Sequence, residues 1–374
     1  MSLSIPAFRA ERCVRYRYAY SACSRCVDVC PHEAIQFSGA TQVNNDVNAD
    51  HYDGVRIAPD VCQSCALCAA ACPTEALAVK GVSAEELLRQ AGKAVRFAVS
   101  CAPAAAAADA VVPCLGALNA AILAEFARRG IALVLRGSDH CVQCPHAAGG
   151  VPMIAAQRAA YADLRALAAS AWAEPDWCDA DEAAPIRDED HNPARRALFR
   201  RAVAEVEAVV SGSNEQAAPP LKAIRAAAPF LPERKSLLNG LFPEGAEDVL
   251  RVPRQAAIAA EDWQVAHGCT HCEACARACP TGAIQLLESN TAWRLAILND
   301  RCVACEVCAE VCQPGVLQHT AQETVIANKQ KGRLLVAVEK SRCSRCGRVF
   351  VNEQGGQTCP ICTGDDEDFA EIFG

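Results

Sequence analysis

Aromatic residues make up only 5% of the chain, which excludes a core built on large rings. Positive charge is also short: 36 Lys and Arg stand against 44 Asp and Glu, for a formal charge of −8. A surface for nucleic-acid phosphates needs clustered Lys and Arg in excess, so nucleic acid is excluded as a partner. The longest apolar tract, Cys101 to Ala127, is broken by Pro103, Asp109 and Pro113, which excludes a membrane-spanning helix there and predicts no direct membrane insertion. The first residues, MSLSIPAFRAERC, lack the basic start, apolar middle and cleavage site of a secretory signal, and they carry no twin-arginine pair. The protein is therefore expected in the cytoplasm, where thiols stay reduced. No G-x-G-x-x-G follows a strand, and no P-loop or nucleophile triad is present. Flavin, nicotinamide and ATP have no sequence support, and no catalytic residue or substrate site is expected.

What the chain has is cysteine. There are 25 in 374 residues, far more than packing recruits, and in a reducing compartment closely spaced cysteines are read as metal ligands before disulfides. Their distribution divides the chain into five segments. Residues 1–90 hold eight, 91–179 five, 180–262 none, 263–325 eight and 332–374 four. The hydrophobic share of 52% suffices for several small cores, so the fold class is α+β and multidomain. The cysteine-free stretch reads as a helix, capped by Asn192 with Pro193 in its first turn, followed by a linker bearing Pro219, Pro220, Pro229 and Pro232.

Cys62, Cys65, Cys68 and Cys72 follow C-x2-C-x2-C-x3-C-P, closed by Pro73. Cys269, Cys272, Cys275 and Cys279 repeat it with Pro280, and Cys302, Cys305, Cys308 and Cys312 match except that Gln313 precedes Pro314. Three thiols spaced three residues apart can wrap one inorganic core, whereas a fourth placed one residue further on leaves in another direction. Short apolar pieces flank the runs: AIQF and VRIA in one segment, AIQLLE and RLAILN in the other. They fit small two-stranded sheets.

These runs resemble the bacterial two-cluster ferredoxin family, used here twice. The resemblance implies four 4Fe-4S clusters, each held by three cysteines of one run and the fourth of the other. In the second module it implies Cys269, Cys272, Cys275 and Cys312 for one cluster, and Cys302, Cys305, Cys308 and Cys279 for the other. In the first it implies Cys62, Cys65, Cys68 and Cys30. The remaining run departs from the family: it reads Cys23-x2-Cys26-x3-Cys30-Pro31, with Tyr20 where the first cysteine is expected. Cys13 is the nearest substitute, joining Cys23, Cys26 and Cys72 if VRYRYAYSA loops out; the alternative is a three-iron cluster.

Cys343 and Cys346, with Cys359 and Cys362, form two knuckles that resemble a zinc ribbon or a shortened rubredoxin. Zinc is preferred, as a staple for a segment too small for its own core, with a single iron as the alternative. In the middle segment, VRFAVSC, VVPC, a helical GALNAAILAEFARRG and a strand IALVLRG give a βαβ-like order. This order sets Cys101, Cys114, Cys141 and Cys144 at strand ends or loops. From Pro113 to Pro145 this looks like the iron-sulfur delta subunit of hydrogenase and heterodisulfide reductase complexes, which implies a 2Fe-2S site. The competing reading makes Cys101 and Cys114 ordinary buried thiols. His140 and His146 are read as loop residues, His271 as a tuner of its cluster's surroundings, and Cys178 as an ordinary thiol.

Thiolate-held clusters exchange single electrons. The expected role is an electron-transfer subunit serving a redox enzyme in the cytoplasm, such as a molybdenum or tungsten formate dehydrogenase-type oxidoreductase or a hydrogenase. A maturation or assembly factor for such an enzyme is the alternative. A third reading makes Cys141 and Cys144 a catalytic thiol pair.

Overall fold

The computed structural model describes residues 5–37, 55–168, 171–179, 224–225, 227–242, 249–320, 323–328, 332–352 and 355–363. The helix expected from Asn192 lies outside them, as do Pro219 and Pro220.

Both eight-cysteine segments fold alike. In the first, strand Ala7–Phe8 pairs antiparallel with Leu77–Ala78, and Ile35–Phe37 with Val55–Ile57. In the second, Trp263–Val265 pairs with Leu317–His319, and Ile284–Glu288 with Ala292–Ile297. The ends of each segment thus meet across one small sheet while the inner hairpin forms another, and the cysteine runs are held between them. Ile35, Leu77, Ile284, Ile297 and Leu317 turn inward and are buried, each contributing roughly 1.5–3 kcal/mol. The second hairpin is longer because strand Arg333–Arg342 adds to Ala292–Ile297 and continues to pair with Val349–Val351. The terminal knuckles are thereby tied to the second module by a shared sheet.

Between the modules lies a four-stranded parallel sheet, ordered Ala110–Val112, Arg96–Cys101, Ala132–Arg136, Asp176–Cys178. Helix Ala120–Arg128 begins where Asn119 accepts the Ile122 N–H, and its apolar face is buried, with Phe126 stacked on Phe97. The expected strands are present. The fourth strand and the long helix Ala147–Ala166 have no counterpart in the sequence reading. That helix contains Pro152 and carries Gly149 and Gly150 in its first turn, which hide its period.

Those glycines allow a close approach. A Cβ on Gly149 would meet the Val29 carbonyl oxygen at 2.2 Å, and one on Gly150 the Cys114 sulfur at 3.2 Å. The helix therefore rests backbone-to-backbone on the first module. Gly149→Ala is expected to destabilise this contact by about 1–3 kcal/mol, read as a lowered melting temperature; an unchanged melting temperature would contradict the packing.

The proline-rich stretch is more than a tether. Ile224 bridges Tyr18, and Phe230 donates its N–H to the Pro280 carbonyl at 3.3 Å. Pro232 then starts helix Glu233–Leu241, whose first two N–H groups donate to the Glu75 carboxylate, both at 2.8 Å. Strand Val249–Pro253 follows and pairs with Glu323–Asn328.

Candidate iron-sulfur centres

In the regular runs, the residues on either side of the second cysteine are left-handed. They are Ser64 and Ala66 around Cys65, His271 and Glu273 around Cys272, and Ala304 and Glu306 around Cys305, all with φ between 54° and 65°. Non-glycine residues rarely adopt this conformation, and three repeats of it indicate a backbone shaped for a purpose. Alternating handedness turns successive N–H groups toward one point, making a nest for anionic sulfur. Three residues past the last cysteine of each run the backbone turns again, at Glu33, Glu75, Gly282 and Gly315. This turn sends the Ala76 N–H to Cys72 Sγ at 3.3 Å and the Ala283 N–H to Cys279 Sγ at 3.2 Å.

Cys30, Cys62, Cys65 and Cys68 line one cavity of the first segment, together with His32 and Ser64. Cys13, Cys23, Cys26 and Cys72 line the other. The ladder of Ala7–Phe8 on Leu77–Ala78 delivers Cys13 beside Cys72, whereas Tyr20, the family position, is 73% exposed. Cys23 lacks the left-handed neighbours of the regular runs. In the second segment Cys269, Cys272 and Cys312 are the thiols that act on Cys275, while Cys302, Cys305 and Cys308 gather around Cys279.

Burial pushes the thiols of Cys13 and Cys65 up to about 11 and those of Cys26 and Cys275 to about 12, with Cys68, Cys305 and Cys308 also raised. Bare, these raised thiols stay protonated. A cationic core that took them as thiolates would release their protons as it binds.

A family model described as a 4Fe-4S dicluster domain matches residues 21–76 and again 268–316. The chain carries two 4Fe-4S dicluster domains. No curated protein and no solved structure matches it. The first match begins after Cys13, so the irregular site is the one that the domain model does not cover in full. An iron-sulfur electron-transfer role follows from the duplicated domains.

The dicluster domains also touch each other. Val14, Ala278, Val307 and Val311 pack together, with Cys23, Cys275 and Cys305 against them. Arg17 is 1% exposed and donates to the carbonyls of Ala227, Ala228 and Pro280. Arg25 donates to the Ala304 carbonyl at 2.8 Å and pairs with Glu306 at 3.3 Å.

The middle-segment cysteines meet at the C-terminal edge of the parallel sheet, where such folds place ligands. Cys101 ends its strand and Cys114 follows the next, both buried, while Cys141 and Cys144 sit on a short turn after the third. Cys141 and Cys144 are near enough to influence Cys101, and Cys101, Cys144 and Cys65 to influence Cys114. Cys178 ends the fourth strand on the same edge, its carbonyl accepting the Gly137 N–H at 3.0 Å.

His146 sits on the turn ahead of the helix, in keeping with its reading as a loop residue, but it is not a bystander. It is buried at the start of the long helix, and its Nδ1 lies 2.8 Å from His32 Nε2, beside Cys65. The sequence reading missed His32, for which its place directly after Cys30-Pro31 could have served as a signal; its partner 114 residues away had none. His140 stays on the short turn. His271 packs edge-on against Trp293, ring centres 4.7 Å apart.

The terminal four, Cys343, Cys346, Cys359 and Cys362, have ligand atoms all within 4.8 Å of one another. Among the described residues no other all-cysteine group is so tight. N–H groups of Cys346 and Cys359 hold Cys343 below the ordinary thiol range. A single metal ion could be held there. Glu261, Glu306 and His319 also converge, but Arg254 pairs with Glu261 at 2.6 Å and closes that group as an ion network.

Among the described residues no helix is long and apolar enough to cross a membrane.

Proposed function

We propose that the chain is a multi-centre electron relay, a subunit that passes single electrons between a donor and a catalytic redox partner in the cytoplasm. The observation that carries this reading is the series of cysteine-bearing cores that runs from the middle domain through both modules. Cys114 packs with Cys65, and Cys68 shares a core with Cys13, Cys26 and Cys30. Cys23 packs with Cys275 and Cys305, and Cys269, Cys279, Cys302, Cys308 and Cys312 share one further core.

The ligand sets we assign are Cys13, Cys23, Cys26 and Cys72; Cys30, Cys62, Cys65 and Cys68; Cys279, Cys302, Cys305 and Cys308; and Cys269, Cys272, Cys275 and Cys312. Each set would hold one 4Fe-4S cluster, which supplies one-electron chemistry when bound. The chain's own residues do the rest: they exclude water, aim N–H groups at sulfur, and fix the order of the sites. We assign Cys101, Cys114, Cys141 and Cys144 to a further polynuclear centre of the 2Fe-2S type. Their sulfurs influence one another without closing to the 4.8 Å of the terminal group, as a multi-iron core requires.

For the terminal knuckles we assign zinc. Tetrahedral zinc thiolates imply sulfur separations of about 3.8 Å, and Cys346 and Cys359 stand 3.7 Å apart. Cys343→Ser is expected to remove about one zinc per chain while leaving the iron content unchanged. Equal loss of iron would place iron there instead.

The partner reading, a molybdenum or tungsten formate dehydrogenase-type enzyme or a hydrogenase, rests on the polyferredoxin resemblance. Electron counting tests the relay itself. Anaerobic reductive titration of the full chain should take up about four to five electrons, and the reduced protein should return them to a one-electron acceptor. Uptake of one electron or none would overturn the relay, and stoichiometric copurification with an active oxidoreductase would identify the partner.

A further inference from the structure

Helix Glu233–Leu241 touches three parts of the molecule at once. Leu238 and Leu241 are buried in the core of the middle domain. Arg234, on the next face, donates to the Ala70 carbonyl at 2.7 Å in the first module. Asn239 donates to the Asp300 carbonyl at 2.7 Å in the second, two residues before Cys302.

Between these anchors sits Lys235. It is 0% exposed, and its Nζ has no hydrogen-bond partner among the described residues. A lone ammonium out of water is among the most unfavourable groups a fold can carry, and such a group neutralises unless an opposite charge stands nearby. The groups that can supply an opposite charge within its influence are the Cys302 sulfur, once a bound metal makes it a thiolate, and Asp300. Asp300 is exposed and forms no ion pair with it among the described residues, so solvent weakens its pull. Cys302 is buried and faces the ammonium from within the second module. Apolar packing alone would be served better by methionine or leucine at this position.

Lys235 is not the only cation on this ligand set. Arg17 reaches the Pro280 carbonyl, next to Cys279, at 3.2 Å, and Arg25 reaches the Ala304 carbonyl, next to Cys305, at 2.8 Å. In the other set of the same module, burial and then the thiols of Cys269, Cys272 and Cys312 raise Cys275. Arg25 is itself paired with Glu306, so the unpaired buried cation is Lys235, and it acts on Cys302 of one set and on no ligand of the other.

We infer that Lys235 is an electrostatic positioning residue, which raises the reduction potential of the centre held by Cys279, Cys302, Cys305 and Cys308 above that of its twin. Adding an electron to a tetrathiolate centre increases its negative charge, and a buried ammonium stabilises that state in proportion to its closeness and the local dryness. Cys305 of the raised site and Cys275 of its twin both pack where the two modules meet, beside Cys23 of the first. An electron that enters the second module therefore settles on the raised site, whichever of the two it reaches first. This inference rests on the ligand sets proposed above.

The test is an anaerobic potentiometric titration of the full-length protein, followed by EPR, comparing wild type with Lys235→Met, Lys235→Gln and Lys235→Arg. Loss of the charge in the Met and Gln variants should lower one midpoint and leave the others in place. At the wild-type midpoint the reduced fraction of that centre, relative to oxidised, should fall at least about tenfold, equivalent to ~59 mV for one electron. Lys235→Arg should hold the midpoint near the wild-type value. Unmoved midpoints in Met and Gln variants of full iron content would overturn the inference. Should Met and Gln each shed one centre's iron while Arg keeps it, the charge requirement stands; should all three shed it, the role is packing and the inference falls. A wild type without any reducible centre would instead sink the relay reading.

Discussion

Cys13→Ser is expected to remove one centre from the first dicluster domain and leave the others intact. About four of roughly sixteen irons should go, with one EPR signal, or a three-iron signal should appear in its place. Cys13 lies outside the stretch matched by the domain model and seven residues ahead of the family position at Tyr20, yet it lines the same cavity as Cys23, Cys26 and Cys72. Backbone N–H groups of Arg15 and Tyr16 point at its sulfur, the service that left-handed residues perform in the regular runs. Serine keeps the size but is a poor ligand for iron beside thiolates. Cys178→Ser is the control and should change nothing. Survival of every signal in Cys13→Ser would mean that another group completes the site.

The second large effect is expected at Arg17. Its guanidinium, buried between the two dicluster domains, satisfies the carbonyls of Ala227, Ala228 and Pro280 at 2.7, 3.2 and 3.2 Å. Arg17→Met would strand one buried acceptor, the Pro280 carbonyl, worth about 1–3 kcal/mol, and release two partly exposed ones, those of Ala227 and Ala228. We expect roughly 2–3 kcal/mol of lost stability, read anaerobically as a fall of about 5 °C in the apparent melting temperature. Arg17→Lys should recover little, because a single ammonium cannot reproduce the planar fork that reaches three carbonyls. Wild-type melting in both variants would show that the modules are not joined through this side chain.

Much of the fold was legible because its strands are short, apolar and punctuated. AIQF, VRIA, AIQLLE and RLAILN appear as the strands Ile35–Phe37, Val55–Ile57, Ile284–Glu288 and Ala292–Ile297. The three regular runs were legible because ligand spacing is a local constraint. What spacing could not convey is contact between segments distant in the chain. The His32–His146 pair joins positions 114 residues apart, and Arg17 contacts Pro280 across 263. Lys235 reads as one more polar residue on a proline-led helix, and only its burial gives it meaning. The helix Ala147–Ala166 was hidden for a different reason: Gly149, Gly150 and Pro152 look like a loop, although the glycines are where the backbone of another unit comes close.

The terminal strand Arg333–Arg342 shows the same limit. A division of the chain by cysteine content assigns it to the knuckles, yet its first half completes the sheet of the second dicluster domain. The knuckles and the second dicluster domain are therefore mechanically continuous.

The most direct measurement is iron, sulfide and zinc analysis of the full chain purified without oxygen, joined to EPR after dithionite reduction. Four 4Fe-4S sites predict about sixteen irons with matching sulfide, a small excess from the middle domain, and one zinc. Fewer than about twelve irons in protein made with ample iron supply would contradict the four-site assignment.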